Sequence, residues 1–276
     1  MHSARTEMLT AVPVRERFLT LAGTRTALHE AGEGPPLVLL HGGIECGGAY
    51  WAPVVARLAE RHRVLIPDVP GLGESEPVER LGHDAFASWF GALLDATCCE
   101  RPVLVAHSLL GTLAASFAAE QGDRLSRLIV YASPGVGPYR MPLGLRVVAV
   151  RFSLRPTERN AERFDRWAFF DFDSARASNP GWLHAFSKYT RAQAAVPHVK
   201  RVMRQLIGTC TKPLADAQLR RIPVPTELVW GRHDRFVPLS LAEKTSARLG
   251  WPLRVIDRAG HVPHIERTDD FLEAIA

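Results

Sequence analysis

Long hydrophobic runs are missing from this chain of 276 residues. No stretch approaches the roughly 18 consecutive apolar residues that a membrane span needs, so a helical membrane-spanning protein is excluded. The segment Met1 to Thr10 is polar and lacks the apolar core of a secretory signal, which makes a cytoplasmic protein the expectation. Cysteine is scarce. There are four, Cys46, Cys98, Cys99 and Cys210, and a bridge between the adjacent pair Cys98 and Cys99 would be strained. With no CxxC pair, neither a metal site nor a disulfide scaffold is expected. No internal repeat is visible either, which argues against a solenoid or a propeller.

What is present is ordinary for a soluble domain: 46% hydrophobic and 23% charged residues. The length suits one large α/β domain or two small ones. The net charge of +5 is unevenly placed, for 16 Lys and Arg stand against 6 Asp and Glu between Gly137 and Ile222. This surplus is spread rather than gathered in a run, so no nucleic-acid arm is expected. It reads as a solvated helical surface, or as an attraction for anionic substrates.

The chain opens with a hairpin pattern. Val14–Leu21 and Thr26–Glu30 flank the turn residues Gly23-Thr24. Short apolar runs then alternate with helical stretches. The runs are Leu37–Leu40, Val64–Ile66, Val103–Ala106, Leu128–Tyr131, Leu228–Trp230 and Leu253–Ile256. Runs so short, bounded by Gly and Pro, suit strands buried on both faces. The stretches Trp51–Arg61, Phe86–Thr97, Leu109–Gln121 and Leu239–Leu249 read as helices. The alternation predicts a mostly parallel eight-stranded α/β sheet flanked by helices. It breaks between Ser133 and Pro225, a segment punctuated by proline and rich in Arg and aromatics. A loop of that length without structure would be unusual, so a helical cap is expected over 134–223, inserted late into a core of 1–133 and 224–276. Asp269–Ala276 opens a helical pattern that ends with the chain, which would suit a shortened C-terminus.

Ligands of parallel sheets bind at the carboxyl ends of the strands, so the loops that follow the strands carry the chemistry. In Val103-Leu104-Val105-Ala106-His107-Ser108-Leu109-Leu110-Gly111 a strand runs straight into a helix, with Ser108 at the corner. The helix N-terminus aims free N–H groups and a positive dipole end at that corner. Taken alone, Ser108 reads equally as a nucleophile or as a helix N-cap. His41-Gly42-Gly43-Ile44 follows another strand, and its glycines let backbone N–H groups approach a ligand. Gly231-Arg232-His233-Asp234 and Gly260-His261 close two late strands. Asp68-Val69-Pro70-Gly71-Leu72-Gly73-Glu74-Ser75 follows the strand Val64–Ile66.

Together these segments resemble the α/β-hydrolase family over nearly the whole chain, from about Val14 to Ala276. Ser108 resembles the nucleophile of the G-x-S-x-G elbow, with Ala106 and Leu110 in place of the two glycines. The order Ser108, Asp234, His261 is the order of that family and differs from chymotrypsin-like and subtilisin-like enzymes. The resemblance implies that Ser108 attacks, His261 takes its proton and Asp234 orients the imidazole. The oxyanion would lie between the N–H groups of Gly43 and Leu109. Ile44, His107, Leu110 and Trp182 are expected to contact substrate, with the Leu110 side chain forming part of the pocket wall. His264 competes with His261 but lacks the preceding glycine, and His41 is expected to tie its loop.

The expected activity is hydrolysis of a carboxylic ester, lactone or thioester through an acyl-enzyme, with no metal and no other cofactor. The alternatives are a carbon–carbon bond hydrolase similar to the meta-cleavage-product hydrolases, and a non-hydrolytic protein on the same scaffold. The meta-cleavage group usually carries an aromatic residue directly after the late histidine, where this chain has Val262. Ser108 argues against haloalkane dehalogenases and epoxide hydrolases, which need an Asp nucleophile. The partner expected is a small molecule with an apolar or aromatic acyl group, since the cap offers Trp167, Phe169, Phe170, Phe172, Trp182, Phe186 and Tyr189. Nucleic acid is not expected, and a homodimer is left open.

Overall fold

A computed structural model describes residues 2–43 and 47–276. The sheet begins with the antiparallel hairpin β1 (Arg15–Leu21) and β2 (Thr24–Ala31). Its turn is Ala22-Gly23, one residue earlier than the sequence pattern indicated, and both residues have positive φ, 45° and 79°. Such a mirror-image two-residue turn matches the right-handed twist of the strands it joins.

Six more strands follow: β3 (Pro36–Leu40), β4 (Arg63–Pro67), β5 (Val103–His107), β6 (Arg127–Tyr131), β7 (Thr226–Gly231) and β8 (Leu253–Ile256). Their order in the sheet is β1-β2-β4-β3-β5-β6-β7-β8, antiparallel from β1 to β4 and parallel from β4 to β8. Every residue of β3 is buried, as expected of a strand covered on both faces. From β3 the chain crosses to β4 on one side, and β5 then pairs with the other side of β3. That reversal opens a crevice at the carboxyl ends of β3 and β5.

The flanking helices are α1 (His2–Leu9), α2 (Ala52–Leu58), α3 (His83–Thr97) and α4 (Ser108–Gln121). Between β6 and β7 lie α5 (Leu143–Leu154), α6 (Glu158–Ala168), α7 (Phe172–Ser178), α8 (Pro180–Ala195), α9 (Pro197–Cys210) and α10 (Asp216–Leu219). Two prolines of this segment start helices: Pro180 and Pro197 each occupy a first-turn position, where no N–H is missed. Thr157 caps α6 through its side chain, and Asp171 caps α7 in the same way. After β7 come α11 (Leu239–Leu249), α12 (Pro263–Glu266) and α13 (Thr268–Ile275).

Helix α1 has no counterpart in the sequence reading. It packs against α8 and carries a buried arginine, Arg5, which pairs with Glu16 on β1 and stands 2.7 Å from His29 Nε2 on β2. Among the described residues no helix is long and apolar enough to cross a membrane.

Candidate active site

The corner after β5 sets the geometry. Ser108 has φ 51°, a left-handed conformation for a residue with a Cβ. Such strain costs about 1–3 kcal/mol and persists only where the surroundings enforce it. It lifts the hydroxyl out of the strand at the head of α4. Gly111, one turn on, permits the tight corner. A Cβ there would lie 2.7 Å from Ser133 Cβ and 2.9 Å from the Ala106 carbonyl oxygen.

Three predicted side chains meet at this corner. Ser108 Oγ lies 2.9 Å from His261 Nε2, and His261 Nδ1 lies 2.8 Å from Asp234 Oδ2. A carboxylate only accepts, so Nδ1 carries the proton and Nε2 is free to accept from the serine hydroxyl. The other carboxylate oxygen, Asp234 Oδ1, accepts from the N–H groups of Phe236 (2.7 Å) and Val237 (2.9 Å). The turn after β7 thus fixes which oxygen faces the imidazole. His261 is itself fastened: its N–H donates to the Ala168 carbonyl at the end of α6 (2.6 Å). The Phe236 ring stacks on the imidazole, with centroids 4.7 Å apart.

Leu109 N–H is in the first turn of α4 and has no acceptor within the helix. Gly43, with φ 117°, comes close to the same place, since a Cβ on it would be 3.5 Å from Leu109 Cδ1. The loop after β3 and the head of α4 thus lie against each other at this corner. His41 accepts from Val69 N–H (3.3 Å), which ties the loop after β3 to the loop after β4. Burial lowers its pKa to about 4, so it is neutral. In the neighbouring loop buried Asp68 accepts from Gly48 N–H (2.5 Å) and Glu74 N–H (2.8 Å).

Three expected substrate contacts are corrected. Leu110 is fully buried in the core and does not line the cavity beside Ser108. Two residues along a helix is a rotation of about 200°, so its side chain leaves on the far side from Ser108. His107 is also fully buried. Its Nε2–H donates to the His261 carbonyl (3.0 Å), and its Nδ1 faces the Tyr50 hydroxyl (3.3 Å). Burial, with His261 next in effect, holds it far below the ordinary imidazole pKa. It supports the histidine loop from beneath. Trp182 lies flat on Phe186, at an interplanar angle of 7°, and lines neither the cavity at Ser108 nor its extension. The fourth, Ile44, lies outside the described residues, as do Glu45 and Cys46. His264 is buried against Tyr50 and Trp51, with its Nδ1 3.0 Å from the Tyr131 hydroxyl.

The cavity at Ser108 measures about 70 Å³ and is lined by Gly42, Leu109, Tyr139, Met141, Leu145, Phe164, Met203, Phe236 and neighbouring apolar residues. No Lys, Arg, Asp or Glu is among the lining residues. A second cavity of about 430 Å³ continues outward between α5 and α9 and shares Tyr139, Met141, Met203 and Ile207 with the first. The sequence reading missed Tyr139, Phe164 and Phe236. It named other cap aromatics, among which Phe169, Phe172, Phe186 and Tyr189 are buried in packing. Phe236 had a signal, since it lies two residues after Asp234 in the same turn. Among the described residues no group of three or more His, Cys, Asp or Glu could hold a metal ion.

Comparison with known proteins agrees with this architecture. Residues 37–274 match the alpha/beta hydrolase family. The 2-hydroxy-6-oxo-2,4-heptadienoate hydrolase of Pseudomonas putida is 27% identical, over 94% of each chain. The 2-hydroxymuconate semialdehyde hydrolase of Pseudomonas sp. strain CF600 is 29% identical over 94% of this chain and 92% of its own. Among solved structures, the 2-hydroxy-6-oxo-6-phenylhexa-2,4-dienoate hydrolase of Rhodococcus sp. strain RHA1 superposes with a TM-score of 0.81 at 25% identity. That match covers 95% of this chain and 97% of the other.

Proposed function

This chain belongs to the alpha/beta hydrolase family, and from that premise we propose that Ser108, His261 and Asp234 hydrolyse a carbon–carbon bond beside a ketone. The observation that carries the reading is the relay from Ser108 Oγ through His261 to Asp234, at 2.9 and 2.8 Å. It occurs in a chain matched along 94% of its length by a relative named for a 6-oxo-dienoate. Such a compound contains no ester, so a hydrolase that acts on it must break carbon from carbon.

The steps balance with these groups and water. Ser108 Oγ adds to the ketone carbon while its proton passes to His261 Nε2. Asp234 stabilises the imidazolium that forms. The negative oxygen settles between Gly43 and Leu109 N–H, where one donor is typically worth about 10²–10³ in turnover. The carbon–carbon bond then breaks. For its electron pair to leave as a dienolate conjugated to the acid, the 2-enol of the substrate must first have become the 2-ketone, its proton moving to the carbon beside the scissile bond; His261 then returns the serine proton to the enolate oxygen. Water, deprotonated by His261, releases the acyl group from Ser108 as a carboxylic acid.

Carboxylic ester hydrolysis is the second reading, and two observations favour it. Val262 stands where the meta-cleavage group has an aromatic, and the cavity at Ser108 offers no cation to a dienoate carboxylate. The test gives the purified protein 2-hydroxy-6-oxo-dienoates, followed by loss of their conjugated absorbance, beside p-nitrophenyl esters. Turnover of a dienoate that disappears in Ser108→Ala supports the first reading. Ester turnover with untouched dienoates overturns it in favour of the second. Activity that survives in Ser108→Ala on either substrate overturns the assignment of the nucleophile.

A further inference from the structure

Four of the six large hydrophobic side chains left exposed among the described residues lie on one helix, α5. They are Leu143 (71% exposed), Val147 (42%), Val150 (51%) and Leu154 (72%). At about 100° per residue these four fall within a sector of roughly 60°. The buried residues of α5, Leu145 and Phe152, leave on the opposite side of the helix. The helix is therefore apolar on two faces, one turned to the core and one turned outward. Arg146 and Arg151 flank the outward stripe, one on each side by the same rotation. Neither α5 nor the adjacent α9 contains an acidic residue, while α9 adds Lys200, Arg201 and Arg204.

An apolar stripe flanked by cations, on a face without acidic residues, is the pattern of a helix that lies in the boundary of an anionic bilayer. From this arrangement we infer that the α5–α9 face docks on an anionic lipid surface. A single small molecule in the outer cavity does not account for the stripe, because Leu143 and Val147 do not line that cavity. The stripe from Leu143 to Leu154 is about 16 Å long at 1.5 Å per residue, which calls for an extended surface. A second copy of the chain would bring two basic faces together, at a cost in repulsion. The outer cavity has Val150, Leu154, Lys200 and Arg204 at its walls, so its mouth belongs to the same face. The inference holds whichever bond the site hydrolyses.

Vesicle flotation tests it, with phosphatidylcholine alone and with roughly one-third phosphatidylglycerol. The wild-type chain should partition about tenfold better onto the anionic vesicles and be released by about 0.5 M salt. Leu143→Ser with Val147→Ser should lower that partition about fivefold or more, with the circular dichroism melt unchanged. Arg146→Gln with Arg151→Gln should lose the preference for anionic lipid. Equal binding by wild type and the serine variant would overturn the inference, as would absence of wild-type binding to anionic vesicles. It would also fall if wild type sediments as a dimer that the serine variant dissociates, since the stripe would then be covered by a second copy.

Discussion

Replacing Asp234 by Asn tests the relay with little change of shape. Asp234 Oδ1 is held by two N–H donors, Phe236 at 2.7 Å and Val237 at 2.9 Å. In the variant the amide oxygen must take that place. Turning the NH₂ group there would set donor against donor and leave two buried N–H groups unpaired, at about 1–3 kcal/mol each. The NH₂ group therefore faces His261 Nδ1, which must now accept. A neutral imidazole that accepts at Nδ1 carries its proton at Nε2, where it can no longer take one from Ser108 Oγ. The wrong-tautomer effect of this replacement, known from a chymotrypsin-like enzyme, is a fall of about 10⁴ in kcat. At 1.36 kcal/mol per decade that is about 5 kcal/mol of transition-state stabilisation. Asp234 does not line the cavity, so KM should change little. The assay is steady-state turnover on whichever substrate the wild type accepts, with a thermal melt to show that the fold is kept. A fall of less than about tenfold in kcat would refute the reasoning, since it would mean that the tautomer of His261 is set by something other than Asp234.

Leu110→Ala should cost about 2–5 kcal/mol in denaturant unfolding, because the side chain is wholly buried. The ratio of rates for a small and a large substrate should not move, and a changed ratio would return Leu110 to the pocket wall. Glu266 gives a pH dependence. Burial raises its pKa from 4.5 to about 7, against the opposing N–H groups of Gly260, Asp171 and Phe170. A raised folded pKa means stability that is fully present below 4.5 and is lost as pH climbs through about 7. Relative to Glu266→Gln, the wild type should therefore lose up to about 3 kcal/mol between pH 5 and pH 8. Unfolding curves across that range that run parallel for the two proteins would refute it.

The sheet was legible because its signals are local. The runs from Leu37–Leu40 to Leu228–Trp230 are strands largely buried by their own composition, whereas β8 (Leu253–Ile256) lies at the sheet edge with only Ile256 buried, against the expectation of a strand covered on both faces. The short apolar runs match β8 to the residue and β5 to within one. The hairpin turn slipped by one residue because Ala22 adopts a positive φ that only the twist of the paired strands explains. Helix α1 was not legible. Its few apolar residues make no helical stripe, and it is held by distant elements: Ala4 and Met8 are buried in the core, and Arg5 meets Glu16 on β1 and His29 on β2.

The site divides along the same line. Ser108 follows β5 directly, and Asp234 and His261 lie three and five residues past the ends of β7 and β8, so the sheet brings their loops to one edge and the motifs around them mark them in the sequence. A neighbour in sequence carries no such guarantee. His107 and Leu110 flank the serine, yet one points beneath the histidine loop and the other into the core, because strand alternation and helical rotation turn adjacent side chains apart. Trp182 shows a different limit, since it stacks on Phe186, four residues on in the same helix α8, and lines neither cavity. The residues that shape the cavity, Tyr139, Phe164, Met203 and Phe236, come from four separate segments. Nothing in any one segment marks them as a group. The candidate triad thus lies in loops past the strand ends, whereas the cavity beside it is shaped by packing between helices, and it is there that the two readings of the scissile bond part.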